Sequence, residues 1–189
     1  GMCGGSADGD CNGSFAAGSG GGMRLGYSNP TLTHVTITGN TADYGGGMYL
    51  NGSIPILTHV TITGNTADYG GGMYLNGSNP TLTNSILWNN SPESILLYSD
   101  EEPIITYSDI EGGWEGAGNI DTDPLFTDPE NGDYSLQEGS PCIDAGTADI
   151  DGDGVDDITD YIGSAPDMGA FEFGESSEIM AGDTNFDGI

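Results

Sequence analysis

Apolar and β-branched polar residues alternate with period two through Thr31-Leu32-Thr33 and Val35-Thr36-Ile37-Thr38, and again through Met48-Tyr49-Leu50. Alternation of this kind marks half-buried strands, and helical periodicity is absent almost everywhere. Gly39-Asn40, Gly45-Gly46-Gly47 and Asn51-Gly52 punctuate the runs as turns. The pattern then returns. Leu32 to Ser53 reads LTHVTITGNTADYGGGMYLNGS, and Leu57 to Ser78 repeats the same 22 residues at an offset of 25.

Three short strands and three turns, repeated at this period, predict a parallel β-helix of about 25-residue coils. Each coil rises by about 4.8 Å and buries its apolar side only against its neighbours. Identical positions then become ladders. Leu32, Leu57 and Leu82 should superpose inside, as should Val35 with Val60, Ile37 with Ile62 and Leu87, and Met23 with Met48 and Met73. Asn40, Asn65 and Asn90 should form an asparagine ladder at a turn. Thr33, Thr58 and Thr83 should line up outside. Tyr44 should lie over Tyr69 and Tyr49 over Tyr74, with Arg24 placed to cover the Tyr49 ring.

Four segments are expected: a Gly-rich start (1–19), the coils (20–106), an irregular acidic extension packing on them (107–174) and a tail (175–189). Thirty acids oppose a single Arg and no Lys, for a formal charge of −29. Only Asp8, Asp10, Asp43 and Asp68 precede residue 93, so the acids crowd the second half. Such a surface excludes nucleic acid and anionic membrane as partners, since both require cationic patches. No apolar run is long enough for membrane insertion. Cys3 and Cys11 are placed for a small disulfide, and Cys142 reads as a buried thiol.

Asp149, Asp151, Asp153, Gly154, Val155, Asp157 and Asp160 occupy positions 1, 3, 5, 6, 7, 9 and 12 of an EF-hand-type loop. Calcium needs six to eight hard oxygens, and this spacing wraps a backbone around one ion, with Val155 giving its carbonyl. Asp at the last position replaces the usual bidentate Glu. Without flanking amphipathic helices the loop is a structural clip and not a sensor. Asp183, Asn185 and Asp187 begin a second such loop, whose later ligands lie beyond Ile189, so the chain reads as a piece of a longer product. Asp8, Asp10 and Asn12 make a third, weaker match.

Catalytic constellations are poor. His34 and His59 stack, as do Asp43 and Asp68, but stacked copies share one environment, and nothing separates their pKa values into acid and base roles. Tyr44, Tyr69, Tyr49 and Tyr74 offer a candidate aromatic platform for sugar rings, with Trp88 and Trp114 further along.

The phrases GGGMYLNGSNPTLT and NSILWNN resemble the right-handed parallel β-helix repeats of secreted bacterial surface proteins. The continuation is more specific: Thr106-Tyr107-Ser108-Asp109-Ile110-Glu111-Gly112-Gly113-Trp114, Asp123-Pro124-Leu125-Phe126, Gly139-Ser140-Pro141-Cys142-Ile143-Asp144-Ala145-Gly146 and Asp167-Met168-Gly169-Ala170-Phe171-Glu172-Phe173. It is similar to the end of choice-of-anchor Q domain proteins, and the segment after Gly182 looks like the start of a dockerin calcium loop. That resemblance implies export to the cell surface or extracellular matrix. Pectate lyases share the β-helix but rely on Arg or Lys beside calcium, and Arg24 is distant in sequence from the loop.

The sequence thus predicts an all-β, calcium-stabilised, non-catalytic extracellular scaffold. One variant self-assembles end to end into a homo-polymer. The alternative is a polysaccharide-binding or carbohydrate-active module.

Overall fold

The computed structural model describes residues 18–174. In chain order the strands are β1 (Met23–Gly26), β2 (Thr31–Thr38), β3 (Thr41–Tyr44), β4 (Met48–Asn51), β5 (Ile56–Thr63), β6 (Thr66–Tyr69) and β7 (Met73–Asn76). There follow β8 (Thr81–Thr83), β9 (Ile86–Trp88), β10 (Ile95–Leu97), β11 (Ile104–Thr106) and β12 (Asp109–Ile110). All of these pair in parallel. One sheet runs β1-β4-β7-β10, a second joins β2 to β5 and then to β8, β9, β11 and β12, and β3 pairs with β6. The predicted ladders form in register: Leu32, Leu57 and Leu82; Ile37, Ile62 and Leu87; Met23, Met48 and Met73.

Two local features escaped the alternation rule. Thr41–Tyr44 and Thr66–Tyr69 form a fourth strand per coil. Thr-Ala-Asp-Tyr has no apolar alternation, and it becomes a strand because an identical segment one coil away supplies its partners. The second feature is a corner inside β2. Leu32 and Val35 both face the core although three residues apart, so the period of two must break between them. It breaks at His34, whose φ is +53°, and the corner recurs at His59, Asn84 and Tyr107 with φ of 52°, 51° and 47°. Left-handed conformation is uncommon for residues other than glycine, and here every layer repeats it at one corner.

Tight stacking also fixes the triple glycines. A Cβ on Gly46 would sit 2.6 Å from the Gly71 carbonyl oxygen, and one on Gly47 would meet Gly72 equally closely. Inside, Asn65 is fully buried. Its side-chain amide donates to Asn90 Oδ1 (3.0 Å), Thr63 O (3.1 Å) and Ile37 O (2.9 Å), while Asn40 Nδ2 donates to Asn65 Oδ1 (3.0 Å). The ladder thereby satisfies turn carbonyls that apolar side chains would strand.

After Asn90 the layers shorten. Ile105 pairs with Leu82 and Ile110 with Leu87, so the coils run past residue 106 to β12. Residues 113–120 then cross the last coil: Trp114 packs against the interior core, Ile110 N donates to Ile120 O, and Ile120 N to Ser108 O, both at 3.0 Å. At the other end Met23, Leu25, Leu32 and Val35 are only half-buried, whereas Met48, Leu50, Leu57 and Val60 are fully enclosed.

The extension covers the outside of the second sheet. A hairpin of β13 (Phe126–Asp128) and β14 (Asp133–Leu136) is joined by a 3₁₀ turn at Pro129–Asn131. Phe126, Leu136, Cys142 and Met168 form a second core around Ile86, which points outward from its coil. The cover is pinned by polar bonds as well. Tyr134 Oη and Thr38 Oγ1 lie 2.7 Å apart, and Ala170 N donates to Thr61 Oγ1 at 3.0 Å.

Candidate metal centre

The acidic loop is closed at its base by the Ala148 carbonyl, which accepts from Asp157 N (2.8 Å) and Ile158 N (3.0 Å). The Asp149 carboxylate fills the ring so formed. Its Oδ1 accepts from Gly152 N (2.7 Å) and Asp153 N (3.2 Å), and its Oδ2 from Gly154 N (2.8 Å). Asp151 Oδ1 accepts from Asp153 N and Asp153 Oδ1 from Val155 N. Asp157 Oδ2 accepts from Ile150 N at 2.9 Å, tying the outgoing arm back to the start.

One carboxylate oxygen each from Asp149, Asp151 and Asp153 converge within 4.8 Å of one another. Three like charges at that spacing repel, and a hard divalent cation removes the repulsion. The donor set fits calcium or magnesium, being all oxygen with no imidazole or thiolate. Asp157 and Asp160 lie outside this convergence. Asp160 lines a cleft with His34 instead, and Val155 is exposed. Half of the predicted set is therefore gathered, and the remaining ligands of a filled site would come from the outgoing arm and from water. Asp183, Asn185 and Asp187, the weak match at Asp8, Asp10 and Asn12, and the Cys3–Cys11 pair lie outside the described residues.

The loop is seated on the coils by one side chain. Asn84 Oδ1 accepts from Thr147 N and its Nδ2 donates to Thr147 O, both at 2.8 Å, and Nδ2 also lies 3.2 Å from His59 Nε2. The Asn84 carbonyl takes Gly169 N at 2.8 Å. Asn84 stands one repeat after His59, where the histidine pair ends. In space it extends the stack and reads the cover's backbone on both sides of the loop. Residues 63 apart carry no local signal of this pairing.

Most of the other chemically capable groups are buried in structure-building roles, and His34 is the exposed member. His34 and His59 stack with centroids 4.8 Å apart. Burial and the neighbouring His34 push His59 down to about 4, so its ring is neutral in ordinary buffers. Cys142 is fully buried and donates to Asp109 Oδ2 at 3.4 Å, with its pKa driven far up by burial and by that carboxylate. Desolvation raises Asp109 to about 6 against the bond from Thr122 N. Asp167, also raised by burial, accepts from Asp144 N (2.7 Å) and Phe173 N (2.6 Å). Nothing local in the sequence marks this carboxylate framework, since a buried Asp in an acidic segment looks like its exposed neighbours.

The tyrosines form two columns. Tyr44 and Tyr69 stack at 5.3 Å, and Tyr49, Tyr74 and Tyr98 continue at 5.3 and 5.8 Å, with the Arg24 guanidinium 5.7 Å above Tyr49. Interplanar angles of 12° and 9° in the two repeat pairs mean that the rings cover one another's faces. A sugar ring stacks on a face, so the columns present mostly edges. Trp88 and Trp114 are packed against the outer and inner cores. This geometry disfavours the aromatic platform.

A family model described as right handed beta helix region matches residues 7–125. No curated protein matches the chain, and no solved structure does.

Proposed function

The chain belongs to the right-handed β-helix family, which defines a scaffold and not a reaction, and from that premise we propose a non-catalytic, extracellular structural element clipped by calcium. The observation that carries this reading is the convergence of Asp149, Asp151 and Asp153 in a loop whose base is held on the coils by Asn84. An ion there neutralises the loop and, through Thr147, fastens the cover to the third coil. The thiol and one of the two imidazoles are unsuited to catalysis. Cys142 and His59 are buried, and each has a structural partner.

Calcium titration of the metal-stripped protein tests the reading. An ion held only by the folded state stabilises it by about 2.7 kcal/mol at a hundredfold excess over Kd. The melting temperature should rise, and Asp151→Asn with Asp153→Asn should abolish the rise. An unchanged melting temperature in excess EDTA overturns the calcium clip. Light scattering in the same titration addresses assembly. Residues 113–120 cross the C-terminal end of the coils, which opposes the coil-on-coil stacking a head-to-tail filament needs. A scaffold that stays monomeric as calcium rises is the expected result.

A further inference from the structure

A cleft of about 660 Å³ lies between the outer face of β2 and the cover. His34 and Thr36 form one side, and Asp157, Ile158, Asp160 and Phe171 contribute to the other. We propose that this cleft binds a small organic cation, an ammonium carried on an apolar stem. The polar lining is rich in acceptors. Asp160 presents its carboxylate, Asp157 carries a second whose Oδ2 already accepts from Ile150 N, and the bond of His34 Nδ1–H to the Ala170 carbonyl (3.4 Å) leaves Nε2 as an acceptor. Glu172, also in the wall, is already engaged: Oε1 accepts from Asp167 N and Oε2 from Ile162 N. Thr36 and Thr159 are the lining side chains that carry a hydroxyl.

No cation balances these carboxylates within the lining, and Arg24, the chain's only Arg or Lys, lies over Tyr49 on another sheet. Such a wall repels carboxylates, sulfates and phosphates and rewards a donor-rich positive group. Phe171 and Ile158 supply the apolar surface on which the stem would rest. The volume falls in the range of small-molecule sites.

The cleft shares its wall with the loop, because Asp157 is a ligand position of the calcium reading. Resting on that reading, the two sites are linked: calcium engages Asp157 and lowers the local charge, so it weakens the cation's binding, and the effect is reciprocal.

Isothermal titration of the metal-stripped protein with 2-phenylethylamine is the direct test, with 2-phenylethanol as uncharged isostere, phenylacetate as anion and glucose as neutral polyol. Saturable 1:1 binding of the amine is expected, at least tenfold tighter than the alcohol and weakening with salt. Removing one exposed charge should cost about twofold to fivefold. Asp160→Asn, at an exposed position outside the carboxylate convergence, should show that loss while leaving the melting temperature unchanged, and Phe171→Leu provides a second probe. Absence of amine binding, equal binding of the alcohol, preference for glucose, or an indifferent Asp160→Asn each overturns the proposal. If amine binding fails while calcium still raises the melting temperature, the cleft falls and the clip stands. If the amine binds and calcium changes nothing, the cleft stands without the linkage.

Discussion

Two buried titratable groups hold the cover on the coils, and their pH dependences oppose each other. His59 is lowered from 6.5 to about 4, so the fold disfavours its protonated form. Its contribution is intact above the unfolded value of 6.5 and is lost as pH falls toward 4. Asp109 is raised from 3.8 to about 6, so the fold disfavours its ionised form. The fold is therefore relatively stronger below 3.8 and weakens as pH rises toward 6. From these values each effect is on the order of 3 kcal/mol. Between pH 4 and 6.5 the two largely cancel. Asp109→Asn keeps an acceptor for Thr122 N and removes the ionisation. The variant should match the parent near pH 4 and exceed it at pH 7.5 by about 1 to 3 kcal/mol. Urea unfolding at both pH values, in EDTA so that the loop does not contribute, gives the difference directly. In that difference the many exposed carboxylates cancel. A variant destabilised equally at both pH values would refute the reasoning, because it would show Asp109 acting only as a packed hydrogen-bond partner.

Other expectations concern the coils. Leu57→Ala should cost about 3 kcal/mol in urea unfolding, since Leu57 is fully enclosed between two layers. The same truncation at its half-buried copy Leu32 should cost clearly less, and equal losses would contradict the view that the first coil is less enclosed. Asn65→Leu should cost about 3 kcal/mol by leaving the carbonyls of Ile37 and Thr63 without their side-chain donor. A near-neutral result would mean that the asparagine ladder is dispensable.

The sequence by itself determined the coils. An exact repeat at 25 residues leaves one economical solution, in which each side chain meets its own copy one layer away, and the leucine, methionine, asparagine and tyrosine ladders follow from arithmetic. The extra strand at Thr41–Tyr44 was illegible because its partner, and not its own pattern, makes it a strand. The His34 corner was half legible, as a jump in phase between Leu32 and Val35. The acidic loop was visible as spacing, yet which carboxylates meet was decided by hydrogen bonds that fold Asp149 inward and leave Asp160 facing the cleft. The tertiary structure alone decided the rest. Asn84 with Thr147, Asp109 with Cys142, and Thr61 with Ala170 join positions 33 to 109 residues apart. The extension has no repeat to dictate its partners, so only its packing on the coils selects them.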